Sequence, residues 1–298
     1  MYFDIHAHMY KYPFPISRSK RTGALKPMFP TGEQLTAMHD ALGITRAVIL
    51  PVVSPEVYVP QSLGEIIDFA NASGGRFIPF CNLDPRVIAN ENDTDLGFLI
   101  EYYKEQGCKG MGEVMPNMEF FDLKMQNLFY HCERAGLPLL FDCSGNKGHG
   151  YGLYDDAGLP QIGKALAKYP DLTFIGHGPA FWADYDAIDP HEQRTLWATT
   201  PVTGEGVVWK YMREYGNLMI DLSAGSGYCA MTRDKEYAAR FLNEFWDRIL
   251  FGTDLCYFEE KPAGTLIGLL DDFRREGVLS EQKYQAIAHK NAEKLLKV

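Results

Sequence analysis

Short apolar runs punctuate the chain: Ala47-Val48-Ile49-Leu50, Phe77-Ile78-Pro79-Phe80, Leu139-Leu140-Phe141, Leu172-Thr173-Phe174-Ile175, Leu218-Met219-Ile220 and Ile249-Leu250-Phe251. Each is continuous rather than alternating, the pattern of parallel strands buried on both faces. With 2–6 and 109–113 added, eight strands are predicted, over 2–6, 46–52, 76–81, 109–113, 138–142, 172–177, 217–222 and 249–254. Pro79 is awkward in its strand, because it has no N–H for a ladder. Amphipathic segments of helical length lie between the runs. One opens on Thr31-Gly32-Glu33-Gln34, which matches a capping box. Another covers 123–135, and the last covers 280–298, where Tyr284, Ile287, Ala288, Ala292 and Leu295 share one helical face.

Eight βα units predict an α/β chain folded as a (β/α)8 TIM barrel, a single domain over residues 1–298. A doubly wound open sheet is the competitor, and it calls for a glycine-rich phosphate turn after the first strand. Here that strand ends in His6-Ala7-His8 instead. No low-complexity tract, linker or short repeat interrupts the pattern.

In such a barrel chemistry belongs at the C-terminal strand ends. Alternate strand residues face one side, so His6 and His8 can form a two-point metal grip. The plainer reading is two hydrogen-bonded surface histidines. Phe251-Gly252-Thr253-Asp254 places a carboxylate where it can ligate a metal and take a proton from water. In Ile175-Gly176-His177-Gly178-Pro179 the flanking glycines allow close approach to His177. Lys109-Gly110-Met111-Gly112-Glu113 ends an apolar run in a carboxylate that must find a cation or a donor. A structural salt bridge would satisfy it as well as a metal. The fifth strand ends Leu140-Phe141-Asp142-Cys143.

D-x-H-x-H at residues 4–8, then G-x-G-E, I-G-H-G-P and F-G-T-D, in that order, resemble the amidohydrolase superfamily. More narrowly they resemble its amidohydrolase-related branch of metal-dependent hydrolases and relatives of aminocarboxymuconate-semialdehyde decarboxylase. The resemblance spans nearly the whole chain: residues 217–223 are similar to the family's seventh strand, and His289-Lys290-Asn291-Ala292 to its closing helix. It implies that His6 and His8 are metal ligands and that Asp254 is both ligand and proton acceptor. His177 would bind a second metal or polarise the substrate, and Glu113 would ligate or bridge. The fifth strand normally ends in histidine, where this chain has Asp142. An aspartate can still bind a divalent ion through oxygen and makes the site harder and more anionic. His149, in a glycine-rich loop, is a candidate to compensate. His39, His131, His191 and His289 need no function.

Charge adds one feature. The 29 Lys+Arg and 39 Asp+Glu give a net charge of −10, which disfavours nucleic acid as a partner. Residues 9–32 nevertheless hold Lys11, Arg18, Lys20, Arg21 and Lys26 and no acid. Arg18 and Arg21 are candidates to grip an anionic substrate. A solvated loop, or one paired with an acidic neighbouring subunit, is the plainer reading. Tyr10, Tyr12, Phe14 and Phe29 suggest a pocket or interface in the same segment. No apolar run is long enough for a membrane span. The start of the chain does not read as a leader, and six scattered cysteines suit a reduced, cytoplasmic protein.

The expectation is a divalent-metal hydrolase, with zinc first and manganese or magnesium as alternatives, that activates water against an ester, lactone or amide in a small molecule. Two other readings stand beside it: a non-oxidative decarboxylase on the same fold, and a barrel that has lost its metal and only binds. A homo-oligomer is compatible with all three.

Overall fold

The structure is a computed structural model that describes residues 1–18, 22–57, 60–187, 194–195, 197–256 and 262–298, with the backbone alone described at 15–18, 25–28 and 262–263. Strand β1 (Tyr2–Ala7) leads into an antiparallel pair, β2 (Phe14–Arg18) and β3 (Leu25–Phe29). There follow α1 (Gly32–Leu42), β4 (Ile44–Ile49), α2 (Leu63–Ala72), β5 (Phe77–Pro79), α3 (Gly97–Glu105), β6 (Met111–Val114), α4 (Leu123–Ala135), β7 (Leu139–Ser144), the two-residue β8 (Leu153–Tyr154) and α5 (Pro160–Lys168). The chain continues through β9 (Phe174–His177), α6 (Pro179–Ala183), α7 (Val207–Glu214), β10 (Leu218–Asp221), α8 (Ala224–Thr232), α9 (Lys235–Glu244), β11 (Ile249–Leu250), α10 (Pro262–Arg275), α11 (Glu281–Gln285) and α12 (Asn291–Leu296).

Two parallel sheets, β1-β4-β5 and β11-β10-β9-β7-β6, make one ring. Between β5 and β6, Lys109 N–H donates to the Pro79 carbonyl (3.0 Å), Cys81 N–H to Gly110 (2.9 Å) and Gly112 N–H to Cys81 (2.8 Å). Between β11 and β1, Ile5 N–H donates to Phe251 (2.9 Å) and Asp254 N–H to His6 (2.8 Å). Eight parallel strands therefore close into a (β/α)8 TIM barrel, and the open doubly wound sheet is excluded. Pro79 fits because its carbonyl faces the β6 side. The N–H it lacks would have pointed at chain ahead of β6, where there is no ladder yet.

Each predicted strand is present, several of them shorter than the predicted span. The capping box forms, with Gln34 N–H on Thr31 Oγ1 (3.3 Å) and Thr31 N–H on Gln34 Oε1 (2.9 Å). The predicted 280–298 helix is broken by a π turn at Ala286–Lys290. There the Ile287 carbonyl accepts from Phe251 N–H (3.1 Å), and Asn291 Nδ2 donates to the Ile249 carbonyl (2.8 Å), so the last helix is tied to β11. Tyr284, Ile287, Ala288 and Ala292 are buried as expected.

One apolar cluster fills the barrel: Phe3, Ile5, Val48, Leu50, Ile78, Phe80, Leu140, Ile175, Met219 and Leu250, with Ala292 and Leu296 from α12. From this layer the site follows by strand periodicity. Leu140, Ile175 and Met219 point inward, and two residues on stand Asp142, His177 and Asp221 at the mouth. The first strand departs from strict alternation. Its pairing with β4 is irregular between Asp4 and Ala7. As a result Phe3 and Ile5 join the core while His6 and His8 reach the mouth. Asp4 staples the two ends of the ring together. Its Oδ1 accepts from the His6 and Thr253 N–H groups (both 2.9 Å) and its Oδ2 from Thr253 Oγ1 (2.5 Å). His39 of α1 is fully buried, its Nε2 3.2 Å from Asp4 Oδ2.

Candidate metal centre

At the strand ends His6, His8, Glu113, Asp142, His177 and Asp254 converge. His6 Nε2 lies 3.0 Å from His8 Nε2. Glu113 Oε2 is 3.3 Å from both nitrogens, and Asp254 Oδ1 is 3.5 Å from His6 and 3.4 Å from His8. His177 Nε2 is 3.8 Å from Glu113 Oε1. Glu113, Asp142 and His177 each bring one donor atom within 4.8 Å of the others, as do His6, His8 and Glu113. All are nearly inaccessible except Asp254, whose side chain is 19% exposed and marks the open side.

Asp221 and Ser223 are also part of the arrangement. Asp221 Oδ2 accepts from His6 Nδ1 (2.7 Å), and it stands 3.0 Å from His177 Nδ1 and 2.6 Å from the Ser223 hydroxyl that donates to it. His8 Nδ1 donates to the Leu50 carbonyl (2.9 Å). Each Nδ1 faces an acceptor with no proton to give, so each carries the proton itself. Every neutral imidazole then turns an Nε2 lone pair into the centre, as metal-ligating histidines do. Two glycines make the close packing feasible. A Cβ on Gly252 would stand 2.3 Å from Asp221 Oδ1, and one on Gly178, where φ is +100°, would stand 2.5 Å from the Cys143 nitrogen and from Asp142 Oδ1.

The donor set fits a divalent cation. Two Nε2 acceptors 3.0 Å apart repel unless something positive lies between them. Ligand atoms on one ion with bonds of about 2.0–2.2 Å stand roughly 3.3 Å apart, which is the spacing found here. Asp142 Oδ1 is buried with no hydrogen-bond partner, a costly state that a cation would relieve. Without a cation, protons must balance the charge. Burial disfavours a charged His6, yet Glu113, Asp254 and Asp221 hold its pKa well above the ordinary value. Burial is likewise overcome at His8, where Asp254 and Glu113 raise the pKa to about 9. Burial and the Glu113 charge push Asp142 up to about 7. Burial opposes ionisation of Glu113 and Asp221, but the facing histidines hold both below the usual carboxylate range.

The other candidates lie elsewhere. His149 is exposed on a hollow of about 280 Å³ that it lines with Glu56 and Asn117, so it does not stand in for the missing histidine. The Arg18 side chain, Arg21 and His191 lie outside the described residues. The root of the basic segment is described: Phe29 meets His8 edge-on at 5.6 Å, and Tyr10, Phe14 and Phe29 pack with Cys256. None of the six cysteines is in a disulfide. No helix among the described residues is long and apolar enough to cross a membrane.

The amidohydrolase family model matches residues 3–298, so the chain belongs to the amidohydrolase family. No curated protein gives a significant match. An uncharacterised TIM-barrel protein from Bordetella bronchiseptica is 18% identical, with a TM-score of 0.67 over 99% of this chain and 98% of that one. An amidohydrolase from Burkholderia multivorans with bound zinc is 12% identical, with a TM-score of 0.62 over 100% and 99%. A 2,6-dihydroxybenzoate decarboxylase from Rhizobium is 14% identical, with a TM-score of 0.60 over 99% and 98%. These similarities establish the fold, and the family and its structural neighbours include enzymes of both hydrolytic and decarboxylating kinds.

Proposed function

We propose that the protein is a divalent-metal-dependent hydrolase that cleaves an ester, lactone or amide bond in a small anionic substrate. The observation that carries this is the pair of Nε2 atoms of His6 and His8, fixed face to face by their Nδ1 bonds and flanked by Glu113 and Asp254. His6, His8, Glu113 and Asp254 would hold the ion, with Asp142 and His177 at the buried end. Zinc suits the imidazole side, and manganese or magnesium suits a carboxylate-rich end. Such an ion supplies a Lewis acid and brings the pKa of water toward neutrality. Asp254, the most open of the carboxylates, takes the proton from the attacking water. His177, held by Asp221, stands ready to stabilise the negative charge that develops on the substrate oxygen. Arg18 and Arg21 would bind the substrate anion. Cysteines outside any disulfide suit a reducing cytoplasm, and neither nucleic acid nor membrane is needed as a partner.

Decarboxylation of a small carboxylic acid on the same centre is the second reading, favoured by the acid-free basic segment. One assay separates the two. A panel of esters, lactones, amides and aromatic or enoic acids is offered to the metal-loaded protein. Water-derived products that vanish with chelator support hydrolysis, and CO₂ release supports decarboxylation. Inactivity on the whole panel by a protein that binds the same compounds would favour a binding barrel.

A further inference from the structure

We propose that Cys256 is a further ligand of this centre, placing a thiolate at its open edge beside His8 and Asp254. The inference rests on reading the centre as a metal site and adds a donor that the strand-end motifs do not contain. Leu255 bridges to Ala7 and is buried with Ala7, Ala47 and Ile49. Asp254 and Cys256, on either side of it, bring their side chains together at the edge of the centre. Cys256 Sγ is 3.1 Å from Asp254 Oδ1, and that oxygen is 3.4 Å from His8 Nε2. One donor atom from each of the three residues lies within 4.8 Å of the others. One sulfur, one nitrogen and one oxygen on a tetrahedral zinc ion stand roughly 3.3–3.6 Å apart, so a small adjustment seats all three.

The surroundings favour this use of the thiol. Tyr10, Phe14 and Phe29 pack against Cys256, an apolar wall that would penalise a bare thiolate but strengthens its pairing with a cation. Asp254 reaches this position through a left-handed backbone (φ +51°), a conformation that aspartate tolerates better than most residues. Cys81, Cys108, Cys132 and Cys143 are buried in the core cluster and have no place at the strand-end cluster. Added to His6, His8, Glu113 and Asp254, the thiolate is a fifth donor, at the open edge of the centre. It also makes this edge softer than the Glu113–Asp142 end, so it selects zinc over magnesium. As the ion binds, a sulfur lone pair goes to the metal and the S–H proton passes to solvent.

Cobalt(II) tests this without any substrate. It occupies zinc sites, shows visible d–d bands when bound, and adds a near-ultraviolet charge-transfer band when a thiolate is a ligand. The full-length protein titrated with cobalt(II) is expected to show both features, and Cys256→Ser to keep the visible bands and lose the charge-transfer band. Visible bands with no charge-transfer band in the unsubstituted protein would overturn the ligand role of Cys256 and leave the metal centre standing. No cobalt binding at all would overturn both. A second measurement needs no variant. Peptide mapping after iodoacetamide treatment should show Cys256 alkylated on the order of tenfold more slowly when zinc is loaded than after chelation. Equal rates with zinc demonstrably bound would overturn the proposal.

Discussion

Asp221 ties the centre together at the scale of single residues. One carboxylate oxygen serves both His6 Nδ1 and His177 Nδ1, and Ser223 steadies it. Removing such a partner costs a metal site on the order of 10- to 100-fold in affinity. Asp221→Ala should therefore weaken metal binding by that factor in a calorimetric titration, while the distant core keeps its packing. An unchanged affinity would mean that the two histidines are held by packing alone. Asp254 acts differently. Asp254→Asn keeps an oxygen donor but removes the proton acceptor, so kcat/KM should fall by about 10²- to 10⁴-fold with little change in fold. A variant with full activity would move the base elsewhere. His6, His8, Glu113, Asp142, His177 and Asp254 are legible in the sequence because each ends or closely follows an apolar run. The role of Asp221 is not. It also ends a strand, but what makes it matter is contact with rings more than 40 residues away in the chain. Cys256 is hidden for a similar reason: its sulfur reaches the centre only through the folded contact with Asp254.

Elements are readable where the hydrophobic pattern is long and unbroken. β4, β7, β9 and β10 follow their apolar runs, and α4 occupies the predicted 123–135 span, with Asp122 as its cap and Gly136 in the left-handed C-cap position. The β2–β3 pair leaves no such pattern. Pro15 and Pro27 face each other in its register, and neither can donate a ladder bond. The π turn in the last helix is equally silent: it goes with a long-range bond, the Ile287 carbonyl accepting from Phe251 N–H of the barrel wall. At this scale Gly178 is the sharpest test. A methyl there meets the Cys143 nitrogen at 2.5 Å on a backbone with φ +100°. Gly178→Ala should lower stability by about 1–3 kcal/mol or more, seen as a lower thermal midpoint, and should displace Asp142. The basic segment gives a complementary expectation. Replacing Arg18 and Arg21 with glutamine should raise KM for an anionic substrate and leave kcat nearly unchanged, the signature of lost uniform binding.

The molecule as a whole couples its charge to its stability. His8 is raised to about 9 from 6.5 and Asp142 to about 7 from 3.8, so at these two sites the folded metal-free chain binds protons more tightly than the unfolded chain. For both groups the stabilisation is complete below the unfolded value and is lost as pH rises through the folded one. The chelated protein should therefore lose the Asp142 contribution between pH 3.8 and pH 7 and the His8 contribution between pH 6.5 and pH 9. The metal-loaded protein should not, because the ion takes the place of those protons. Parallel stability curves for the two forms would contradict this. The net charge of −10 reads differently once the fold is known. Part of the acid excess is buried at the strand ends as a ready-made cation site, and the acid-free segment begins directly beyond His8.

The measurement that bears most directly on the account is the metal content of the purified chain, determined by mass spectrometry after growth in metal-supplemented medium and again after chelation and reconstitution. The account predicts at least about one divalent ion per chain, lost on chelation together with activity and regained with it, because a buried multidentate site retains its ion. Less than about 0.2 ion per chain in both preparations, with the fold intact, would contradict it.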